Sequence, residues 1–243
     1  MAEEELQMKI KFVNMLKVPE EYAPVPASKV VPDWYKRLES YRGGDKRPDG
    51  NAGTTATAKR CMPIFDAISA GYIIFTHTDL FVSQKFDAAT GKTDPYYEWA
   101  NFGALGFHPK VQLPEHPADT GHDVSYPKWT NSWSITTPEG YSCLFISPLH
   151  RETPIIALSG VVDTDTYTAP VNFPFVLRNP KMEGLIPAGT PIMQVIPFKR
   201  DEWDIDIRNT DEDREEQEDV TRRLRTKFFD SYKTQYRQPK EFH

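Results

Sequence analysis

Cysteine is scarce in this chain: Cys61 and Cys143 are the only two among 243 residues. Two thiols so far apart cannot form a zinc framework, which needs closely spaced pairs, and they read as small apolar core residues. No apolar run approaches the roughly 18 residues that a membrane-spanning helix needs. The opening MAEEELQMKIKF lacks the apolar core of a secretory leader, so the expectation is a soluble cytoplasmic protein with no membrane partner. Positive charge is not in excess. With a net charge of −6, broad coating of nucleic acid is not expected, because phosphate binding rests on clustered Lys and Arg.

Proline is abundant instead, at 21 residues, which disfavours long helical bundles. Met8, Ile10 and Phe12 alternate with lysines, the period of a half-buried strand. Pro32 before Asp33 marks the start of a short helix whose apolar face would hold Trp34, Tyr35 and Leu38. Residues 41–58 carry almost no large apolar side chain and read as a surface loop. GYIIF and DLFVSQKF, then the turn cluster AATGKTDP and YYEWANF, predict a hairpin or meander. Four prolines within 107–131 predict an irregular crossing. From Trp133 to Phe198, short β-rich runs alternate with turn signals, as in a barrel or sandwich. Beyond Trp203 the composition shifts. DEDREEQED followed by RRLRTK suits a helix macrodipole, with Thr210 as N-cap and Val220, Leu224, Phe228, Tyr232 and Tyr236 on one apolar face.

Several constellations could carry chemistry. ATGKT ends like a phosphate loop, but Phe86 stands where that loop needs glycine, so it reads as a turn. His77-Thr78-Asp79 would place an imidazole and a carboxylate on one face of a strand, two ligands of a metal triad with His150 or another distant histidine as third. This resembles the Fe(II)/2-oxoglutarate oxygenases, although Gly160 occupies the offset of their cosubstrate-binding base beyond His150. His116, His122 and Asp123 form a further polar cluster in a Pro-rich loop. Asp163-Thr164-Asp165 has the D-x-D form of cation-binding transferases without their strand–helix alternation.

GVVDTDTY followed by IPAGTPIMQVIPF resembles the trimeric dUTPase and dCTP deaminase family, of β-clip fold. The resemblance implies a nucleotide pocket working with Mg²⁺, in which Asp163 activates water, Tyr167 stacks on the nucleoside, Gly160 and Gln194 occupy ligand-binding positions, and Arg151 or Arg178 contacts phosphate. The spacing from Asp163 to Tyr167 is one residue longer than in that family, and SPLHR replaces its phosphate-binding motif. Over a longer stretch, PVPASKVVPDWYK, CMPIFDAISAGY, GVVDTDTYTAPVNFPF and IPFKRDEW resemble an uncharacterised family encoded by tailed phages and some bacteria. That resemblance implies a β-rich phage protein, located in host cytoplasm or virion.

The expected architecture is mainly β, a single barrel or sandwich of β-clip kind. It comprises an N-terminal extension (1–58), a β core (59–204) and a C-terminal helical arm (205–243). Three functions remain open: a non-catalytic, oligomeric phage-type protein that binds its own copies or another phage or host protein and needs no cofactor; a dUTPase-like nucleotide-binding protein or pyrophosphatase; and a non-haem iron oxygenase using His77, Asp79 and His150. Whether the chain is an enzyme is left open by its sequence.

Overall fold

The computed structural model describes residues 8–44, 56–89, 91–100, 103–112, 126–226 and 232–243. His116, His122, Asp123, Phe228 and most of the 41–58 loop therefore lie outside the described residues. The chain is mainly β and divides into two compact units, one holding the residues up to Ala27 with Gly71–Arg200, the other Ser28–Ala70 with Asp201–His243.

Every strand among the described residues lies in the first unit. In chain order these are β1 (Lys11–Asn14), β2 (Val25–Pro26), β3 (Tyr72–Phe75), β4 (Leu80–Asp87), β5 (Lys92–Trp99), β6 (Leu105–His108) and β7 (Tyr126–Trp129). They continue with β8 (Trp133–Thr136), β9 (Tyr141–Ile146), β10 (Ile155–Ala157), β11 (Gly160–Val162), β12 (Phe173–Leu177), β13 (Gly184–Ile186) and β14 (Pro191–Lys199). Four sheets result, with orders β1-β8, β10-β12-β7-β6, β11-β9-β14-β3-β2 and β13-β4-β5. All named pairings are antiparallel, and among the described residues no sheet closes into a barrel.

The expected hairpin is present as β4 and β5, in register from Leu80↔Trp99 to Asp87↔Lys92. Two expectations need correction. The stretch read as an irregular crossing begins and ends in paired strands, β6 and β7, whose aromatic and extended residues tolerate Pro127 at a strand position. IIALSGVV is two strands in different sheets, because the chain turns away at Leu158-Ser159.

One core joins three sheets. Phe145 of the five-stranded sheet lies 6.0 Å from Phe173 of the four-stranded sheet, and Tyr97 of the three-stranded sheet meets Phe175 edge-on at 6.0 Å. Leu80, Val82 and Ile186 add aliphatic bulk from the three-stranded sheet. Each aromatic pair contributes about 0.5–1.5 kcal/mol beyond its area burial. At the entrance to β3, Gly71 has φ +65°, and a Cβ there would stand 2.0 Å from the Val195 carbonyl oxygen. Only glycine permits this approach, since both the torsion and the space exclude a side chain.

The second unit holds α1 (Asp33–Arg37), α2 (Met62–Ser69) and α3 (Asp211–Thr226). Helix α1 follows Pro32 as its sequence suggests, yet it buries Tyr35 while Trp34 stays exposed. Five residues are too few to present the broad apolar face expected of it. Helix α2 has no counterpart in the sequence reading. Pro63 in its first turn and Ile64, Phe65 and Ile68 on one side are the signals that mark it. The Tyr35 and Phe65 rings stack at 5.9 Å, and Lys59 reaches over the Tyr35 ring at 4.6 Å. Arg237 and Lys240 both converge on Asp66 of α2, with Arg237 Nη2 at 2.7 Å and Lys240 Nζ at 3.2 Å. Burial raises the pKa of the Asp66 carboxyl, but the hydrogen bonds and charges of Arg237 and Lys240 outweigh it and hold the group below its ordinary value.

The C-terminal part departs from a continuous helical arm. Residues 201–210 carry no regular secondary structure and are exposed throughout, and α3 begins only at Asp211. Thr210 caps it as expected, accepting the Asp213 N–H at 3.3 Å. Leu224 and Tyr232 of the expected apolar stripe remain exposed.

Two outcomes are expected. Gly71→Ala should destabilise the protein by about 2–3 kcal/mol in urea denaturation, and an unchanged midpoint would contradict the close approach to Val195. Asp66→Asn should accelerate amide exchange across residues 232–240 without altering exchange in the β unit; equal protection in both proteins would show that the ion pairs do not fasten the C-terminal residues.

Candidate functional site

Arg200 and the acidic D-T-D turn form a clamp at the end of β14. Arg200 follows that strand and donates from Nη1 to Tyr141 O and Ser142 Oγ, both at 3.0 Å, while its guanidinium forks onto the Asp165 carboxylate. Gly140 N–H donates to Asp165 Oδ2 at 2.9 Å. Hydrogen bonding from Arg200, aided by the Gly140 N–H and opposed by burial, pushes the Asp165 pKa down to about 2. Between the two aspartates, Thr164 is fully buried and shares a hydrogen bond with Thr137 at 2.8 Å. The D-T-D triplet thereby pins the turn after β11 to the loop before β9.

Asp163 is the outward member, with 63% of its side chain exposed. Its Oδ1 accepts from Ser142 Oγ at 2.6 Å and stands 3.5 Å from Arg200 Nη1. Tyr167 is half exposed, and its backbone N–H closes a turn onto Asp163 O at 2.8 Å. Arg151 is buried, donating from Nη2 to Ala27 O at 3.1 Å and from Nη1 to Leu149 O at 3.3 Å. Burial lowers its pKa to about 10, and those carbonyl contacts give it a structural task. Arg178 is exposed, with Nε donating to Thr153 O at 2.9 Å. Gln194 is fully buried and accepts the Leu149 N–H at 2.8 Å. Gly160 lies on β11. Of these residues, Asp163 and Tyr167 share a local turn, while Arg151 is bonded to the Ala27 and Leu149 carbonyls and Arg178 to that of Thr153.

The metal triad fails on geometry. Residues 77–79 are the link between β3 and β4, not a strand, so His77 and Asp79 do not share a strand face. His77 is buried 5.0 Å from the Trp129 ring, with Nδ1 3.2 Å from Ser132 Oγ, and burial pushes its pKa down. Asp79 is exposed and accepts the Ala188 N–H at 2.8 Å. His150 occupies a turn at φ 53° after β9. Among the described residues no three His, Cys, Asp or Glu side chains gather to hold a metal, and the donor set here does not suit Fe(II).

A different feature of the first unit was not foreseen. An apolar cleft of about 350 Å³ opens beside β11, lined by Phe145, Leu158, Val162, Val171, Phe173 and Met193. His108 and Gln112 stand at it with Nδ1 and Oε1 2.6 Å apart. Its lining comes from five separate stretches of chain, so no local motif announces it. The second unnoticed feature is local: in W-D-I-D-I, Trp203, Ile205 and Ile207 alternate with aspartates and are 91%, 82% and 85% exposed. That alternation is the signature of a strand with one apolar face.

No family model and no curated protein matches this chain. Among the described residues, no helix is long and apolar enough to cross a membrane.

The clamp makes a pH prediction. The folded Asp165 value of about 2 is below the roughly 3.9 of an unfolded aspartate, so the unfolded state binds more protons between the two. The clamp's stabilisation is therefore complete above about pH 4 and lost as pH falls toward 2. Denaturation series across that window should show a falling stability that Asp165→Asn flattens, with Asp165→Asn already weaker at pH 7. Parallel curves for the two proteins would mean that the ion pair does not form.

Proposed function

We propose that this protein is a non-catalytic β-rich binding and assembly protein of phage type, acting in host cytoplasm or virion, whose exposed 203–207 segment engages another protein chain. We read the three sheets around one core as a sandwich within that proposal. The observation that carries the reading is the exposed alternation of Trp203, Ile205 and Ile207. Single exposed apolar residues are ordinary, whereas three at alternate positions of one exposed segment, led by Trp, match what protein interfaces use. The clamp geometry supports it from the other direction: Asp165, Arg200 and Arg151 are engaged in holding the fold, and His77 is buried against Trp129.

One observation favours a second reading as a dUTPase-like protein using Mg²⁺. The Asp163 carboxylate is open to solvent next to the Ser142 hydroxyl, where a base could meet water.

The two readings separate by experiment. Changing Trp203, Ile205 and Ile207 together to Ser should weaken association by about 30-fold or more, the effect of removing an interface hot spot worth roughly 2 kcal/mol. The melting temperature of the isolated chain should stay the same, since none of the three is buried. Unaltered association, measured by light scattering and sedimentation, would remove the assembly reading. A melting shift with dUTP and Mg²⁺, approaching the roughly 2.7 kcal/mol expected at a hundred times Kd, together with its loss in Asp163→Asn, would establish the nucleotide reading instead.

A further inference from the structure

We infer that the exposed segment 201–208 of one copy adds as a strand to the open edge of β11 in a second copy, turning Trp203, Ile205 and Ile207 toward the apolar cleft there. The inference rests on the assembly reading above and names its surface and partner.

The acceptor side is an incomplete edge. Strand β11 has β9 on one side and, among the described residues, no strand on the other. Unpaired edge groups are a template for another chain. The cleft flanks that edge: Gly160 and Val162 line it, while Val161 points to the opposite face and is exposed. At Gly160 a Cβ would meet nothing within 4 Å, so the space in front of this position is open to a large incoming side chain. Behind it, Phe145, Phe173 and Met193 supply an apolar floor.

The donor side has the matching period. A strand laid beside β11 sends alternate side chains to the cleft and to solvent. Trp203, Ile205 and Ile207 would share the cleft face, leaving Asp204 and Asp206 on the other.

Buried area argues for a second copy of this chain over a foreign peptide. One donated segment would bury about 400 Å² of its own apolar surface, taking the usual burial of one Trp and two Ile. With the matching acceptor surface, a single arm reaches about 800 Å², the upper end of adventitious contacts. Two arms exchanged reciprocally reach about 1,600 Å², the size of a stable specific interface. A copy of this chain supplies both a donor and an acceptor, and a two-fold exchange closes on itself. A foreign strand supplies one.

The test uses full-length chains in a Cys61→Ser background, because Cys61 is exposed. One chain carries Ser159→Cys at the cleft and a differently tagged chain carries Ile205→Cys. Both positions are exposed, so neither change disturbs the core. After mixing and mild oxidation, the expected product is a disulfide-linked heterodimer, with little link between Ser159→Cys and a control chain bearing Cys at exposed Glu218. An oligomer by light scattering that forms no such link would overturn this placement and leave the assembly reading standing. A chain that is monomeric at every concentration would overturn both.

Discussion

Strand β14 is the constraint on which the rest of the first unit depends. It pairs with β9 at six positions and with β3 on its other side, so it is the middle of the five-stranded sheet. Its inward residues Met193 and Val195 are in the core, and Gln194 between them spends its side-chain acceptor on the Leu149 N–H. The Gly71 approach secures β3 against its backbone, and Arg200 at its end secures the β9 loop and the D-T-D turn. Each contact needs the strand to continue through Lys199 without a break, which the β-branched and aromatic run IMQVIPF permits. Pro191 and Pro197 remove donors but remain within the paired span.

That dependence gives the acidic turn a structural task. Two carboxylates two residues apart suggest a cation or an activated water. In this fold one is neutralised by an arginine 35 positions downstream, beyond the reach of any local motif. The pair divides its labour: Asp165 is nearly buried and ionised by its partner, while Asp163 is solvent-facing. The arrangement stabilises a turn: Ser142 and Arg200 hold the Asp163 carboxylate from one side while the rest of it faces solvent.

What could be read from the sequence was set by local periodicity. The β4–β5 hairpin, the runs that became β8, β9, β12 and β14, the Pro32 start and the Thr210 cap all follow from patterns within a few residues. Helix α2 is eight residues with a proline in its first turn, too short for its apolar spacing to stand out. The division of IIALSGVV between two sheets depends on which strands compete for each half, which no local pattern carries. The cleft was illegible for the same reason, since Phe145, Leu158, Phe173 and Met193 meet only after three sheets have packed. The 203–207 alternation was legible in principle. The charged run that follows it, with the composition of a helix, dominates the local pattern.

The edges of the sheets differ in how they are guarded, and the difference bears on where another chain could add. Strand β5 is eight residues long and lies at the edge of its sheet, but Pro95 in its middle removes a backbone donor and interrupts the row that an incoming strand would need. Strand β2 is two residues long and includes Pro26. Strand β11 has no proline, bears glycine where a neighbour needs room, and borders an apolar cleft. A chain selected only against aggregation would blunt this edge as well. Leaving it open beside a hydrophobic cleft, while exposing a strand-like apolar segment elsewhere in the same chain, is intelligible if the two surfaces are complementary halves of one contact.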